Sequence, residues 1–269
     1  MSKLLIVPDE HGRSFFHKIF EEKELPVIFL GDYTCPYWHE GFTDIDCLNN
    51  LKRTIQYKMR RPKDVTLLIG NHCTSFIWSY MGFERTNYEY YKELHDIYRN
   101  NIKLFEPCKL IGDTLFTHAG ISNNWLYNMN CRFKEEERNF ELNEKTIVPY
   151  IENEYFLELQ HDKVPNRHIS YSSLNSDIFN IGWSRGGGGY GGPFWSDFND
   201  EFTNPDWNLW QIFGHTQAKQ TGIIRQKGQS FCLDSRAVFE YDTDTHDIKL
   251  SELTENYEEV KANLINYEE

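Results

Sequence analysis

Val27–Thr34 reads VIFLGDYT, four apolar residues running directly into a glycine and an aspartate. A short apolar run bounded by turn residues has the length of a fully buried β-strand. A carboxylate at the end of such a strand has to face something other than the core. Four further runs end in the same way. Leu4–Val7 leads into PDEHG, with Asp9 and His11; Val65–Ile69 leads into GNH, with Asn71 and His72. Leu115–Thr117 ends in HAG, with His118, and Ile212–Phe213 leads into GHTQ, with His215. Any one of these alone is a turn former or a helix cap. Five at the same end of five strands exceed what turn chemistry produces.

Helical spacing fills the gaps between the strands. Leu48, Leu51, Ile55 and Met59 share one face of a segment stopped by Pro62, and Tyr90, Leu94, Ile97 and Tyr98 share another. Strand and helix therefore alternate, the signature of an α/β layered domain. From about 129 to 180 the pattern turns polar and reads as a mainly helical insertion. TGIIRQ, QSFCLD and AVFEYD then read as consecutive short strands, followed by a helix from about Glu255 to Tyr267. SRGGGGYGGP, Ser184–Pro193, is either a linker or a backbone loop that approaches something closely.

With 269 residues, 39% of them hydrophobic, the chain has the composition of a globular protein able to bury a core. A formal charge of −13 argues against general nucleic-acid binding. It leaves room for a small anionic substrate, because a metal ion outweighs neighbouring carboxylates locally. The six cysteines form no C-x-x-C pair, and no apolar run is long enough to span a membrane. Reduced cysteines, no membrane partner and a cytoplasmic location are the expectation.

The strand-end set comprises Asp9, His11, Asp32, Asn71, His72, His118 and His215. In an open sheet the carboxyl ends of the strands are where ligands bind. Oxygen and imidazole donors suit Mn, Fe or Zn, not a soft thiolate site.

The order PDEHG, GDYTCP, GNHC, THAG, GHTQ resembles the calcineurin-like metallophosphoesterases, specifically their phosphoprotein phosphatase (Ser/Thr protein phosphatase) branch. The resemblance runs from Asp9 to His215. It implies one metallophosphoesterase domain over 1–269, a four-layer α/β sandwich of two mixed sheets flanked by helices, with a dimetal site at the sheet edge. By position, Asp9 and His11 would hold the first metal, Asp32 would bridge both, and Asn71, His118 and His215 would hold the second. Two divalent ions are implied, manganese first, iron or zinc otherwise. The implied reaction is phosphoester hydrolysis by a metal-bridging hydroxide, with His72 protonating the leaving oxygen. The substrate would be a phosphorylated protein or a small phosphoester. Arg185 is the candidate cation for the phosphoryl group, with Asn71 beside it. In FWSDF, Trp195 is expected to pack, and Asp197 either to support the site residues from behind or to order its loop.

The pattern breaks in three places. Pro8 replaces a glycine of the first motif. In GDYTCPY, Cys35 replaces an aspartate that orients the general acid, and Pro36 replaces a phosphate-binding arginine. In GNHC, Cys73 replaces a glutamate. Asp44 or Asp46 is the nearest carboxylate in sequence that could orient His72. Two other readings remain open: a dinucleoside polyphosphate or nucleotide hydrolase, marked by ring-stacking residues near the metals, and a binding scaffold without chemistry, marked by inactivity despite bound metal.

Overall fold

The computed structural model describes residues 2–78, 85, 88–161 and 176–268. Among the described residues, eleven strands form two mixed sheets. In the first, β1 (Lys3–Val7), β2 (Val27–Phe29), β3 (Val65–Leu68) and β4 (Phe105–Glu106) run parallel in that order. The second contains β5 (Lys109–Ile111), β6 (Thr114–Phe116), β7 (Trp210–Phe213), β8 (Arg225–Lys227) and β9 (Ser230–Cys232), in the order β5-β6-β7-β9-β8. Within it β6, β7 and β9 are mutually parallel. The chain then returns to the first sheet, where β10 (Phe239–Asp242) and β11 (Ile248–Leu250) extend the β1 edge antiparallel.

Alternation along β1 explains the layering. Leu5 and Val7 point to the helices, joining Val27, Phe29, Val65 and Leu67 in a core with Leu48, Leu51 and Ile55. Leu4 and Ile6 point the other way, into a core between the sheets with Ile28, Leu68, Phe116, Ile212 and Phe239. Both faces are covered, so the strands read as unbroken apolar runs. A third, smaller cluster of Phe198, Phe202, Phe213 and Cys232 also forms.

The helices are α1 (Asp44–Arg60), α2 (Asn71–Ile77), α3 (Tyr88–Asn101), α4 (Asn123–Glu135), α5 (Ile147–His161) and α6 (Tyr257–Glu268). A capping box closes the start of α1: the Asp46 amide donates to Thr43 Oγ1, and Asp46 Oδ2 accepts from the Thr43 amide. Met59 does not join the buried stripe of α1 and is 55% exposed. Lys58 takes that place, its ammonium donating to the carbonyls of Pro62 and Val65 and tying the helix end to β3. Of the helical reading for 129–180, part of α4 and all of α5 fall within the described residues, while 162–175 lie outside them. TGIIRQ is strand only at its end, from Arg225.

Ser184–Pro193 is a folded loop. The Trp183 amide donates to the Gly189 carbonyl at 2.7 Å, and the Gly187 amide to Gly182 at 2.9 Å. Glu201 pins it from below, accepting from Ser184 N and Oγ at 2.7 and 2.6 Å and from Gly191 N at 3.0 Å.

Candidate metal centre

Because β1, β2, β3, β6 and β7 are parallel within their sheets, their carboxyl ends carry the loops that bear Asp9, His11, Asp32, Asn71, His118 and His215. Five of these six are at most 3% exposed, and His215 is 9% exposed. His11, Asp32 and His215 adopt left-handed backbone at φ +46°, +52° and +66°. Such conformations cost about 1–3 kcal/mol each outside glycine and persist where the surroundings enforce them.

Two glycines admit the carboxylates by their lack of a side chain. A Cβ at Gly70 would collide with Asp32 Oδ1 and lie 2.5 Å from the Asp32 nitrogen; one at Gly214 would collide with Asp9 Oδ1.

The proton positions follow from the partners. His118 Nδ1 donates to the Leu30 carbonyl at 2.9 Å, and His11 Nδ1 to the Thr34 carbonyl at 2.8 Å. A carbonyl only accepts, so in the neutral rings each Nε2 carries the lone pair. His118 Nε2 lies 2.8 Å from Asn71 Oδ1 and 3.2 Å from His215 Nδ1, and those two are 2.9 Å apart. As oriented, the three atoms share at most one proton, that of a Nδ1-protonated His215. A cation satisfies such a cluster, and the carbonyl contact behind His118 is the support that metal-ligating histidines use. His215 Nε2 is buried and has no hydrogen-bond partner among the described residues.

Asp32 joins this group to the next. Its Oδ1 accepts from the His72 amide at 2.9 Å. Its Oδ2 stands 3.5 Å from His118 Nε2 and 3.5 Å from His11 Nε2. One oxygen therefore faces both histidines while the other accepts from backbone. His11 Nε2 is also 4.0 Å from Asp9 Oδ2, and both Asp9 oxygens accept from the His215 amide at 3.0 and 3.2 Å. Donor atoms of His11, Asp32 and His72, and separately of Asp32, His118 and His215, lie within 4.8 Å of one another. The His72 ring meets His11 edge to face at 5.3 Å. This donor set fits two borderline or hard divalent cations.

Electrostatics agree. Burial holds the pKa of His11, His118 and His215 below the usual imidazole range, keeping their lone pairs available. Asp9 is pushed up to about 8, first by burial and then by the Asp32 charge. The unfolded value is 3.8, so the folded metal-free protein holds a proton that the unfolded chain has released across this interval. This stabilising contribution is whole below the unfolded value and gone once the pH passes the folded one. Chelated protein should melt lower at about pH 8 than at about pH 5. Manganese should restore the loss, and Asp9→Asn should reduce the difference in a thermal melt.

Several residues here were not singled out from sequence. Asp234, two residues beyond β9, is buried, and burial and the Asp9 charge raise its pKa. It obeys the strand-end rule and was detectable by it. Glu10 is fully buried and its pKa is raised by burial. Arg13 and Arg85 flank Tyr37, with guanidinium carbons 4.6 and 3.8 Å from the ring centre. Arg85, in FERTN, had no sequence signal.

Arg185 gives Nε and Nη2 to Asp197 Oδ2 at 2.9 and 2.7 Å. Asp197 Oδ1 accepts from the Asn199 and Asp200 amides, so this residue does order its loop. Trp195 is buried, its ring 5.8 Å from that of His215. Asp46 is engaged in the α1 capping box; Asp44 is buried at the start of the same helix.

No protein-family model and no curated protein matches the chain. Solved structures do. A cold-active protein-tyrosine phosphatase from Shewanella sp. superposes with TM-score 0.57 at 14% identity, over 93% of this chain and 80% of that one. A second structure of a cold-active protein tyrosine phosphatase gives 0.58 at 14% identity, over 93% and 78%. A Saccharomyces cerevisiae protein serine/threonine phosphatase aligns at 0.49 and 16% identity, over 93% and 79%. The chain thus has the calcineurin-like α/β fold, two mixed sheets flanked by helices, that its motifs imply. Its structural neighbours are phosphatases.

Proposed function

We propose that the chain is a single-domain, cytoplasmic, metal-dependent phosphomonoesterase acting on phosphorylated protein or a small phosphoester. Asp9, His11 and Asp32 would hold one divalent cation, and Asp32, Asn71, His118 and His215 a second. Bound there, the cations would lower the pKa of water and neutralise phosphoryl charge. The chain's own part is to present neutral imidazoles, with His118 and His11 kept in one tautomer by Leu30 and Thr34. Held through its amide by Asp32 and set against His11, His72 is placed to give a proton to the departing oxygen.

The observation that carries this reading is the convergence of Asn71 Oδ1, His118 Nε2 and His215 Nδ1 within 3.2 Å. A cation there would take a lone pair from each of the three at once. The test is p-nitrophenyl phosphate turnover with Mn²⁺, expected to vanish on chelation. Asn71→Ala and His118→Ala should each lower it by at least about a hundredfold; near-normal rates in both would remove the proposal.

The Shewanella neighbour is a protein-tyrosine phosphatase, so phosphotyrosine peptides belong in the substrate panel beside phosphoserine and phosphothreonine. Nucleotides outcompeting all of them would favour the nucleotide-hydrolase reading. Inactivity toward every phosphoester with two metals bound would favour the scaffold.

A further inference from the structure

Pro36 stands where the resemblance implies a phosphate-binding arginine. Three arginines stand around the centre, and they differ in what neutralises them. Arg13 gives Nε and Nη2 to the two carboxylate oxygens of Glu40 at 2.7 and 2.9 Å. Arg185 gives the same two nitrogens to Asp197. Each fork is engaged by a carboxylate, and each charge is matched locally.

Arg85 is anchored differently. Its Nε and Nη2 donate to the Cys35 carbonyl at 3.2 and 2.9 Å, and its plane lies on the Tyr37 ring. Both anchors are uncharged, and among the described residues no carboxylate pairs with it. Its Nη2 is also 3.3 Å from His11 Nδ1. That nitrogen's proton goes to Thr34, so this is an approach, not a bond, and it sets the guanidinium beside a metal-site histidine. Cys35 itself holds φ +64°, a left-handed conformation in the loop whose carbonyl receives Arg85. The fork is thus fixed by one edge and one face, and among the described residues nothing bonds Nη1.

We propose that Arg85 is the residue that binds the substrate's phosphoryl group, supplied from between α2 and α3 in place of the arginine displaced by Pro36. The assignment rests on the phosphatase reading of the centre. A planar fork held in place and still carrying its charge recognises a phosphate dianion through paired N–H donors. Arg185, already bonded to Asp197, then serves chiefly to hold the Gly-rich loop.

The experiment compares wild type, Arg85→Ala, Arg85→Lys and Arg185→Ala in Mn²⁺. It measures KM and kcat for p-nitrophenyl phosphate, the inhibition constant of inorganic phosphate, bound metal, and phosphate affinity by calorimetry. Arg85→Ala should keep both metals and weaken KM and phosphate binding by about ten- to a hundredfold. Arg85→Lys should recover part of this, keeping the charge without the fork. Arg185→Ala should change phosphate binding less than either. Unchanged phosphate affinity in both Arg85 variants, or the whole effect appearing in Arg185→Ala, overturns the assignment. Arg85→Lys preserves the stacked cation, so it decides the matter if the alanine variant does not fold. Metal-loaded wild type without turnover on any phosphoester strikes the phosphatase reading itself, and phosphate calorimetry still reads Arg85 in that case.

Discussion

Asp32→Asn is expected to abolish turnover while making the metal-free protein more stable. In the wild type, Asp32 Oδ2 faces the Nε2 lone pairs of His11 and His118, each 3.5 Å away. Those rings have given their other protons to backbone carbonyls. Without cations, a buried carboxylate oxygen therefore meets two acceptors. An amide NH₂ at the same position offers a proton to each, while the amide oxygen still accepts from the His72 nitrogen. One net buried hydrogen bond is worth about 0.5–1.5 kcal/mol. In a chain somewhat larger than 250 residues this raises the melting temperature by roughly 2–4 °C per kcal/mol. The same amide cannot balance cationic charge. Losing several kcal/mol of phosphoryl stabilisation lowers the rate by about a thousandfold or more. The checks are melts in chelator, elemental analysis and p-nitrophenyl phosphate kinetics. A variant that melts lower without metal than wild type does would show that Asp32 is a structural carboxylate and that no cation belongs beside it.

Gly70→Ala should damage the centre from outside its donor set. Gly70 has φ −97° and ψ 171°, backbone that any residue adopts, so strain does not demand the glycine. Space does. An added Cβ meets Asp32 Oδ1, Cγ and the Asp32 nitrogen, and the last belongs to backbone that cannot swing aside. Overpacking of this kind costs about 1–3 kcal/mol. A displacement near 1 Å at a reacting centre costs about a hundredfold in rate. Gly188→Ala is the control, since nothing among the described residues lies within 4 Å of a Cβ there. Its melting temperature should stay close to that of wild type, as for most surface changes of under about 0.5 kcal/mol. Wild-type rate and stability in Gly70→Ala would mean that Asp32 is free to move and is not held for a purpose.

Much of the molecule was legible in the chain because two periodicities overlap. Strands buried on both faces appear as unbroken apolar runs, and in a parallel sheet every run must end at the same edge. Asp9, Asp32, Asn71, His118 and His215 were therefore readable as one set before any coordinate existed. The same rule reaches Asp234, which follows Ser230–Cys232 in the same manner. Met59 was misplaced because helical spacing alone cannot tell a methionine on the stripe from a neighbouring lysine whose ammonium finds two carbonyls.

What residue order determined by itself is which donor types stand at the strand ends, since chemistry and periodicity are both local properties. Only the tertiary structure decided how those donors share protons, because tautomers depend on carbonyls 23 and 88 residues away, Thr34 and Leu30. It alone decided which arginine has no carboxylate partner among the described residues. Arg185 was conspicuous in its glycine run yet is bonded to Asp197, whereas Arg85 lies 50 residues from the Cys35 carbonyl that holds it. Pairing of long, flexible side chains is settled by packing between distant segments, and spacing along the chain carries no record of it.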